Sequence, residues 1–444
     1  MINKQAQKIP TYVINLERRS DRKAHILNEF AGRDEFDVEI IKAHENPVGS
    51  LGLWYTIKQI VEIAEQREQD FILICEDDHQ FTDSYSAQLL FECLTEAKDI
   101  NADVILGGVS TVQSAATVSK NLSWIENFNG TQFLIIYRHF FETLLKAAFY
   151  EYDIADDKIV RLTKKRFLIF PFISVQKEFG YSDATDWNNE VGRVTRLFDG
   201  ASKTVQTLKN VEKFYGNLRK NNGIIDEEKF SDISIPTYAI NLPERTERRK
   251  HILQQFKGRK EFDLQIIDAC KHKVGAIGLW QSICKIVQLA IDNEDDVIII
   301  CEDDHQFTNC YNRDLLLRNI FEAHEQKAGI LSGGIGGYTH ASLLSEERLW
   351  VSFFLSAQFI VVYKKMFKKI LKYKFQEYDV ADIVLSYLTS NKMVLHPFIS
   401  HQKDFGHSDV TPIHNEFPGL VQDMFQRTES GLTDLKESIN LLKS

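Results

Sequence analysis

The sequence predicts an α/β protein made of two tandem domains, each built on a β-sheet with helices beside it. Three observations predict this class. The chain has 444 residues, which is too long for one ordinary domain. It repeats itself at a fixed interval. Within each repeat, short apolar runs alternate with segments whose apolar residues recur at helical spacing.

The repeat has an offset of 226 residues, since IPTYVINL begins at Ile9 and IPTYAINL begins at Ile235. The offset holds without insertion or deletion up to Glu190, so each copy has about 180 residues, a normal domain size. Both copies descend from one unit. Polar residues that are kept in both copies without an evident packing role are therefore candidates for function.

The domain limits follow from the repeat. We place a first domain with a C-terminal helix at residues 1–200 and a helical and polar connector at 201–234. The second domain takes residues 235–425, and a helical tail takes 426–444. Seven apolar residues between Val194 and Leu218 recur at near-helical spacing with Lys and Arg between them, which predicts one or two amphipathic helices. Its basic side either faces water or makes weak contact with an anionic membrane surface.

Each copy is predicted to alternate strands and helices. In the first copy, apolar runs predict strands at 12–14, 38–41, 71–75, 104–106, 133–137 and 167–170. An apolar stripe predicts a helix from Leu51 to Glu65. FILIC and its counterpart VIIIC are fully apolar, as is typical of buried central strands. The alternation indicates a largely parallel sheet, in which ligands bind beyond the carboxyl ends of the strands.

Composition narrows the classes of function. A formal net charge of −10 argues against a broad nucleic-acid-binding surface. No apolar run approaches the roughly 20 residues that cross a bilayer, and MINKQAQKIP lacks the apolar core of a signal peptide. The six cysteines, which include no CxxC pair, do not form a disulfide scaffold. We expect a soluble protein of a reducing, cytoplasmic compartment with no nucleic-acid partner.

A cluster of acids follows the apolar run of the central strand in each copy, in FILICEDDHQFT and VIIICEDDHQFT. These acids are Glu76, Asp77 and Asp78 in the first copy and Glu302, Asp303 and Asp304 in the second. Adjacent carboxylates repel one another, so a cation or hydrogen-bond donors must neutralise them. Oxygen ligands suit Mg²⁺ or Mn²⁺, which bind substrate phosphates alongside one or two carboxylates. The alternative is a solvated turn whose acids cap the next helix.

Further blocks recur in the same order in both copies: INLERRSDR and INLPERTER, VGSLGLW and VGAIGLW, a Gly-Gly pair, YDIAD and YDVAD, and PFISVQKEFGYSD and PFISHQKDFGHSD. With ICEDD, they make the chain resemble two copies of a glycosyltransferase family 25 domain, the group that includes lipopolysaccharide-type and collagen galactosyltransferases. The chain departs from this family where Leu53-Trp54 and Leu279-Trp280 replace a Ser-His pair.

The resemblance implies two GT-A-like, nucleotide-sugar-binding domains. It implies a hexosyltransferase that moves galactose or glucose from a UDP-sugar to a glycan or glycosylated acceptor, with inversion. Mn²⁺ or Mg²⁺ would join the acids of each triplet to the donor diphosphate, and His407 is a candidate further ligand. The alternative is a carbohydrate- or nucleotide-binding protein without turnover. Phosphate-ester hydrolysis at the acids is a third hypothesis.

Polar residues around the first strand of each copy are candidates for donor binding. They are Asn15, Arg19 and Arg22 in the first copy and Asn241, Arg245 and Arg248 in the second. The arginines would stabilise the charge that develops on the diphosphate, or they decorate an exposed helix. The asparagines would read the edge of the base, or they cap the following helix.

An inverting transfer needs a carboxylate that takes the proton of the acceptor hydroxyl. The resemblance favours Asp156 and Asp382 as this base, although an Asp at a helix start can instead be a cap. The other candidates are Asp183 and Asp409 for the base and Gln176 and Gln402 for orienting donor or acceptor.

Overall fold

A computed structural model describes residues 8–181, 190–221, 233–406, 417 and 419–441 of the chain. The chain divides into two compact units, with boundaries after Asn210 and after Glu437. We call the unit that contains the first copy the first unit and the other the second unit. Each has an eight-stranded mixed sheet with helices, which confirms the α/β class. The limits 1–200, 201–234, 235–425 and 426–444 stay predictions.

Strands and helices alternate through the first unit. In chain order they are β1 (Ile9–Asn15), α1 (Ser20–Phe30), β2 (Phe36–Lys42), α2 (Gly49–Gln66), β3 (Phe71–Glu76), β4 (His79–Phe81), α3 (Ala87–Asp99), β5 (Val104–Leu106), β6 (Ala115–Thr117), β7 (Leu122–Ile125), β8 (Phe133–Tyr137), α4 (Arg138–Lys146), α5 (Ala155–Leu162), β9 (Arg166–Ile169), β10 (Ser174–Gln176) and α6 (Arg193–Asn221).

The main sheet of the first unit has the strand order β2-β1-β3-β8-β5-β9-β7-β6, and β4 pairs with β10 apart from it. β1 is parallel to β2 and β3, and β5 is parallel to β9. β8 runs antiparallel to both of its neighbours, and β7 is antiparallel to β6 and β9. The expectation of a largely parallel sheet is therefore wrong. A strand buried on both faces has the same apolar composition in either direction, so its composition does not reveal its direction.

The second unit has the same arrangement. Its elements are β11 (Ile235–Asn241), α7 (Thr246–Phe256), β12 (Phe262–Asp268), α8 (Gly275–Asp292), β13 (Val297–Glu302), β14 (His305–Phe307), α9 (Arg313–Glu325), β15 (Ile330–Ser332), β16 (Gly337–Tyr338), β17 (Ala341–Ser345), β18 (Arg348–Val351), β19 (Phe354–Leu355), β20 (Phe359–Tyr363), α10 (Lys364–Lys372), α11 (Ala381–Leu388), β21 (Lys392–Leu395), β22 (Ser400–Gln402) and α12 (Leu420–Leu441). Its sheet order, β12-β11-β13-β20-β15-β21-β18-β17, matches that of the first sheet strand for strand.

The core of each unit forms around its central strand. Ile72, Leu73, Ile74 and Cys75 of β3 are all buried, and because successive side chains point to opposite faces, both faces of the sheet are covered. The apolar stripe of α2 is buried as predicted, and its Trp54 stacks on Phe149 with ring centres 4.7 Å apart.

The amphipathic segment predicted after the first copy is the single helix α6, which buries Val194, Phe198, Val205 and Leu208. In the described part of the chain, none of the helices has both the length and the apolar character that a bilayer span requires. All six cysteines are unpaired, as expected.

Candidate functional site

The candidate site of the first unit lies where β1 and β3 end. These neighbouring parallel strands place Ile14 in register with Glu76, so Asn15 and Asp77 follow side by side. Because β8 runs the other way and begins at Phe133, opposite Cys75, the residues just before β8 reach the same edge. Side chains from three segments of the chain therefore converge at this edge of the sheet.

The acidic triplet leads into a strand rather than a helix. β4 begins at His79, and the next helix is capped by Ser86, whose Oγ accepts a hydrogen bond from the Leu89 amide at 3.1 Å. The hypothesis that the acids cap the following helix is therefore wrong.

Asp77 is the buried centre of a polar network. Its Oδ2 accepts a hydrogen bond from Asn15 Nδ2 at 2.9 Å, and its Oδ1 accepts one from Arg22 Nη1 at 3.2 Å. Arg19 Nη1 lies 3.6 Å from Oδ1. Asn15 also donates to the Arg19 carbonyl at 3.2 Å, so its amide ties two segments together instead of capping α1. The structure thus brings together three of the residues predicted to bind the donor, and it engages both oxygens of Asp77.

Arg22 is buried and joins two acids of the triplet. Its Nη1 lies 3.2 Å from Asp77 Oδ1 and 3.1 Å from Asp78 Oδ2, and its Nη2 donates to the Tyr181 carbonyl at 2.7 Å. The guanidinium carbon lies 4.7 Å from the centre of the Phe179 ring. Arg22 is not on an exposed helix face, as the alternative hypothesis had it, but holds the acids in place.

The same network recurs in the second unit. Asp303 accepts hydrogen bonds from Asn241 Nδ2 at 2.9 Å and from Arg248 Nη1 at 3.1 Å. The carbonyl of Arg245 accepts from Asn241 at 3.3 Å, and Arg248 Nη1 also lies 3.4 Å from Asp304 Oδ2. The two copies have therefore kept the same buried contacts.

The carboxyls of Glu76 and Asp78 lie in a setting that favours their neutral forms. Burial, and then the charge of Asp78, raises the pKa of Glu76 to about 8, although a 2.6 Å hydrogen bond from Thr131 Oγ1 opposes the rise. Burial raises the pKa of Asp78 to about 6 against the charge of Arg22. Oδ1 of Asp78 is buried and accepts no hydrogen bond from any group among the described residues. The protein alone therefore does not fully stabilise the ionised forms of these two carboxyls.

The second unit keeps this pair with different neighbours. Burial, and then Asp304, raises the pKa of Glu302 well above its ordinary value, and burial raises that of Asp304 to about 6. Oδ1 of Asp304 is again buried without a partner in the described ranges, while its Oδ2 accepts a hydrogen bond from Gln402 Nε2 at 3.0 Å. Ala357 stands where the first unit has Thr131, so Glu302 lacks the hydroxyl that Glu76 binds.

Asp156 and Asp382 face the same edge from the start of α5 and α11. Asp156 accepts hydrogen bonds from the Gly130 amide at 3.1 Å and the Asp157 amide at 3.0 Å, and its charge contributes to the raised pKa of Glu76. Burial raises its own pKa. Asp382 accepts a hydrogen bond from the Ser356 amide at 2.6 Å, and burial raises its pKa as well. Each carboxylate is thus fixed near the acid pair, partly by a bond within its own helix.

The histidines that follow the triplets belong to the core. His79 is fully buried, its Nδ1 lies 2.8 Å from Ser174 Oγ, and its ring packs against Phe81 with centres 4.3 Å apart. Burial lowers its pKa to about 3, so it is neutral at physiological pH. His305 repeats the contact with Ser400 at 2.8 Å. Nε2 of each ring is buried and has no hydrogen-bond partner among the described residues.

Of the five remaining candidates predicted from the sequence, two glutamines lie within the described residues. Gln176 lies on β10 opposite His79, and its counterpart Gln402 contacts Asp304 as described above. His407, Asp183 and Asp409 lie outside the described residues.

Sequence reasoning missed two contributors to the site. Thr131 was not singled out, and nothing in the repeat marks it, because the second copy has Ala357 there. The ring of Phe179 beneath Arg22 was also missed. The ring centre of its counterpart Phe405 lies 4.8 Å from the guanidinium carbon of Arg248. The available signal was that both copies keep an aromatic residue here, next to a predicted site residue.

The site can offer two carboxylates to a cation. No group of three or more His, Cys, Asp or Glu side chains among the described residues is arranged to hold a metal ion. Mg²⁺ and Mn²⁺ need no such cage, because they keep waters and share one or two carboxylates with substrate phosphates. The unpartnered Asp78 Oδ1 beside Glu76 fits this use.

Comparisons with known proteins give little further guidance. No family model matches the chain, and no curated protein matches it. Solved structures that share part of its fold include A197 from STIV, with a TM-score of 0.27 and 10% identity over 38% of this chain and 86% of that one. Apo UDP-glucose pyrophosphorylase has a TM-score of 0.27 and 9% identity, over 44% of this chain and 81% of that one. A glycosyltransferase involved in glycosylation of the major capsid of PBCV-1 has a TM-score of 0.24 and 10% identity, over 36% and 81%. Likeness this low supports no statement about activity.

Proposed function

We propose that the chain is a metal-dependent glycosyltransferase that moves a hexose, galactose or glucose, from a UDP-sugar to a glycan or glycosylated acceptor. The observation that carries the proposal is the acid pair beside the buried Asn-Arg-Asp network, Glu76 and Asp78 in the first unit and Glu302 and Asp304 in the second. A fold does not need clustered buried carboxyls with an oxygen left without a donor at a sheet edge, whereas a substrate-bridging cation would use such oxygens as ligands. The resemblance of the ordered motifs to glycosyltransferase family 25 agrees with this function.

In this proposal, Glu76 and Asp78 would hold Mn²⁺ or Mg²⁺, and the cation would neutralise charge on the donor diphosphate. Asn15 and Arg22 position the acids through Asp77. Asp77 and His407 as ligands, and Arg19 and Arg245 as direct donor contacts, stay predictions.

The transfer itself is a displacement at the anomeric carbon. The acceptor oxygen forms a bond to that carbon, the bond from the carbon to the phosphate oxygen breaks, and UDP leaves with the electron pair. Asp156 or Asp382 would take the proton of the acceptor hydroxyl. The hydrogen bond from the Gly130 amide holds the Asp156 carboxylate in place for this role.

Release of UDP tests the proposal. The full chain is incubated with UDP-galactose or UDP-glucose, with Mn²⁺ or with EDTA, and with and without a panel of glycan acceptors. We expect UDP release that requires the cation and increases with an acceptor. Absence of turnover on every donor and acceptor, together with no donor binding, would refute it.

One observation favours the alternative, a binding protein without turnover. Arg22 already pairs with Asp77 and Asp78, so part of the triplet's charge is compensated inside the protein. This alternative predicts that calorimetry detects UDP binding while no glycoside product forms with any donor. Product formation would exclude it.

A further inference from the structure

An exposed tyrosine stands at the same position in both units. Tyr152 is 94% exposed and Tyr378 is 85% exposed, within the blocks EYDIAD and EYDVAD. Among the large hydrophobic side chains that are exposed in the described residues, one other pair of identical residues occupies matching positions, Leu27 and Leu253, and these leucines still bury about half of their surface. Packing therefore gives no reason for the tyrosine to be kept.

The turn that carries Tyr152 is held firmly on both sides. Asp153 accepts a hydrogen bond from the Tyr150 amide at 2.9 Å and forms ion pairs with Lys158 at 3.1 Å and Arg161 at 2.5 Å. On the other side, Phe149 stacks on Trp54.

The second unit holds its turn by equivalent contacts. Asp379 accepts hydrogen bonds from the Gln376 amide at 2.8 Å and the Tyr373 hydroxyl at 3.1 Å. Phe375 stacks on Trp280 with ring centres 4.9 Å apart. In each unit a rigid turn therefore presents an aromatic ring to solvent, which lowers the entropy lost when the ring binds a partner.

The ring stands close to the candidate base. Tyr152 precedes Asp156 by four residues, and so many residues span at most about 14 Å even when fully extended. The charge of Asp156 in turn helps to raise the pKa of Glu76. The tyrosine is thus within the length of a short oligosaccharide from the edge where the transfer would occur.

We propose that Tyr152 and Tyr378 are stacking platforms for a sugar ring of the acceptor, away from the sugar that receives the hexose. This inference rests on the proposed function and names the acceptor class, a glycan of more than one residue. The C–H groups on one face of a pyranose pack on the electron-rich face of an aromatic ring, while the tyrosine hydroxyl stays in water. A stable protein partner would need about 800 Å² on each side, far more than one isolated ring offers.

Binding to immobilised glycans tests the platform. The full chain, with UDP and Mn²⁺, is applied to a surface carrying lactose, cellobiose, galactobiose and longer oligomers of glucose and galactose. We expect retention on at least one of these glycans. The double variant Tyr152→Ala/Tyr378→Ala should bind about ten-fold more weakly, and the corresponding Phe variant should bind like the wild type because the ring face remains.

Tyr387→Ala is the matched control, since this tyrosine is 80% exposed on α11 but has Arg161 at the matching position of the first copy. It should leave glycan binding unchanged. Failure of the wild type to bind any of these glycans, or equal binding by the double Ala variant, would overturn the platform.

Calorimetry of UDP with Mn²⁺ separates this inference from the proposed function. Glycan binding that depends on the tyrosines, without binding of UDP, would support the stacking platform and refute the transferase proposal. Turnover with an acceptor KM that is the same in the wild type and the double Ala variant would support the transferase proposal and refute the stacking platform.

Discussion

Asn15 and Asp77 are joined by a buried hydrogen bond of 2.9 Å that ties the ends of two neighbouring parallel strands, and Asn241 and Asp303 are joined by one of the same length. The bond fixes the backbone from which Glu76 and Asp78 project. The candidate site therefore depends on a contact that no substrate would touch.

Loss of this bond should destabilise the unit that contains it. Asn15→Ala leaves a buried carboxylate oxygen without its amide donor, and we expect the free energy of unfolding to fall by about 1–3 kcal/mol. Urea denaturation followed by circular dichroism measures it. Asn241→Ala should produce a loss of similar size, and an unchanged urea midpoint in both variants would contradict the argument.

Removal of one charge from the acid pair should abolish activity in one unit only. We expect Asp78→Asn to lower the UDP release of the first unit by about 100-fold or more, because a charge that binds the cation is lost. Asp304→Asn should do the same in the second unit, so each variant keeps part of the activity and the double variant has none.

The matched control is Asp99→Asn, an exposed acid at the end of α3 in the same unit. It should leave activity unchanged. A single substitution at Asp78 or Asp304 that removes all activity would show that one unit alone is active.

The Gly-Gly pair should tolerate no side chain. A Cβ at Gly108 would lie 2.0 Å from the carbonyl oxygen of Ser174, so Gly108→Ala must displace β10 from its place beside β4. We expect a loss of about 1–3 kcal/mol or more in the free energy of unfolding, measured by urea denaturation. Gly200→Ala is the control, since nothing lies within 4 Å of its Cβ, and in an exposed helix it should stabilise by about 0.5–1 kcal/mol.

Lys392 should make the free energy of unfolding depend on pH between about pH 8 and 10.5. It is 3% exposed, and burial lowers its pKa from 10.5 to about 8. Below pH 8 the buried Lys392 side chain of the folded protein is charged. Between pH 8 and 10.5 the folded protein has lost this proton, whereas Lys392 in the unfolded chain still binds it. Stability relative to Lys392→Met should therefore rise through this range, by up to about 3 kcal/mol.

Arg166 occupies the matching position of the first unit and stays charged throughout this range. The difference between the wild type and Arg166→Met should therefore not change with pH. Equal pH dependence of the two differences, measured by chemical denaturation at several pH values, would contradict the assignment.

The strands and the position of the acids could be predicted from the sequence, because fully apolar runs mark buried strands whatever surrounds them. FILIC and VIIIC became β3 and β13, and the acids lie where those strands end. The direction of β8 could not be predicted, because the apolar run at 133–137 reads the same in either direction. The three-residue strands β4 and β10 are too short to leave a pattern.

Within the site, adjacency in the sequence misled the interpretation of individual residues. Asp77 and Asp78 are neighbours, yet one has both oxygens engaged inside the protein and the other keeps a buried oxygen without a partner among the described groups. His79 was read with the acids, although it sits on the same side of β4 as Phe81, two residues later, and packs against it. Which acid of the triplet is bound inside the protein and which keeps an oxygen without a partner depends on the direction of the backbone after the strand. The composition of the sequence does not determine this direction.

The reversal of β8 has a consequence for how such a protein can adapt. It delivers to the edge of the sheet the segment just before β8, ENFNGTQ in the first unit, and the segment just before β20, SFFLSAQ in the second. There the copies differ at five of seven positions, while β3 with β8 and β13 with β20 pair in the same register. Substitutions in this segment can therefore change the partners of Glu76 and Asp156, while the buried network of Asn15 and Asp77 stays the same as that of Asn241 and Asp303.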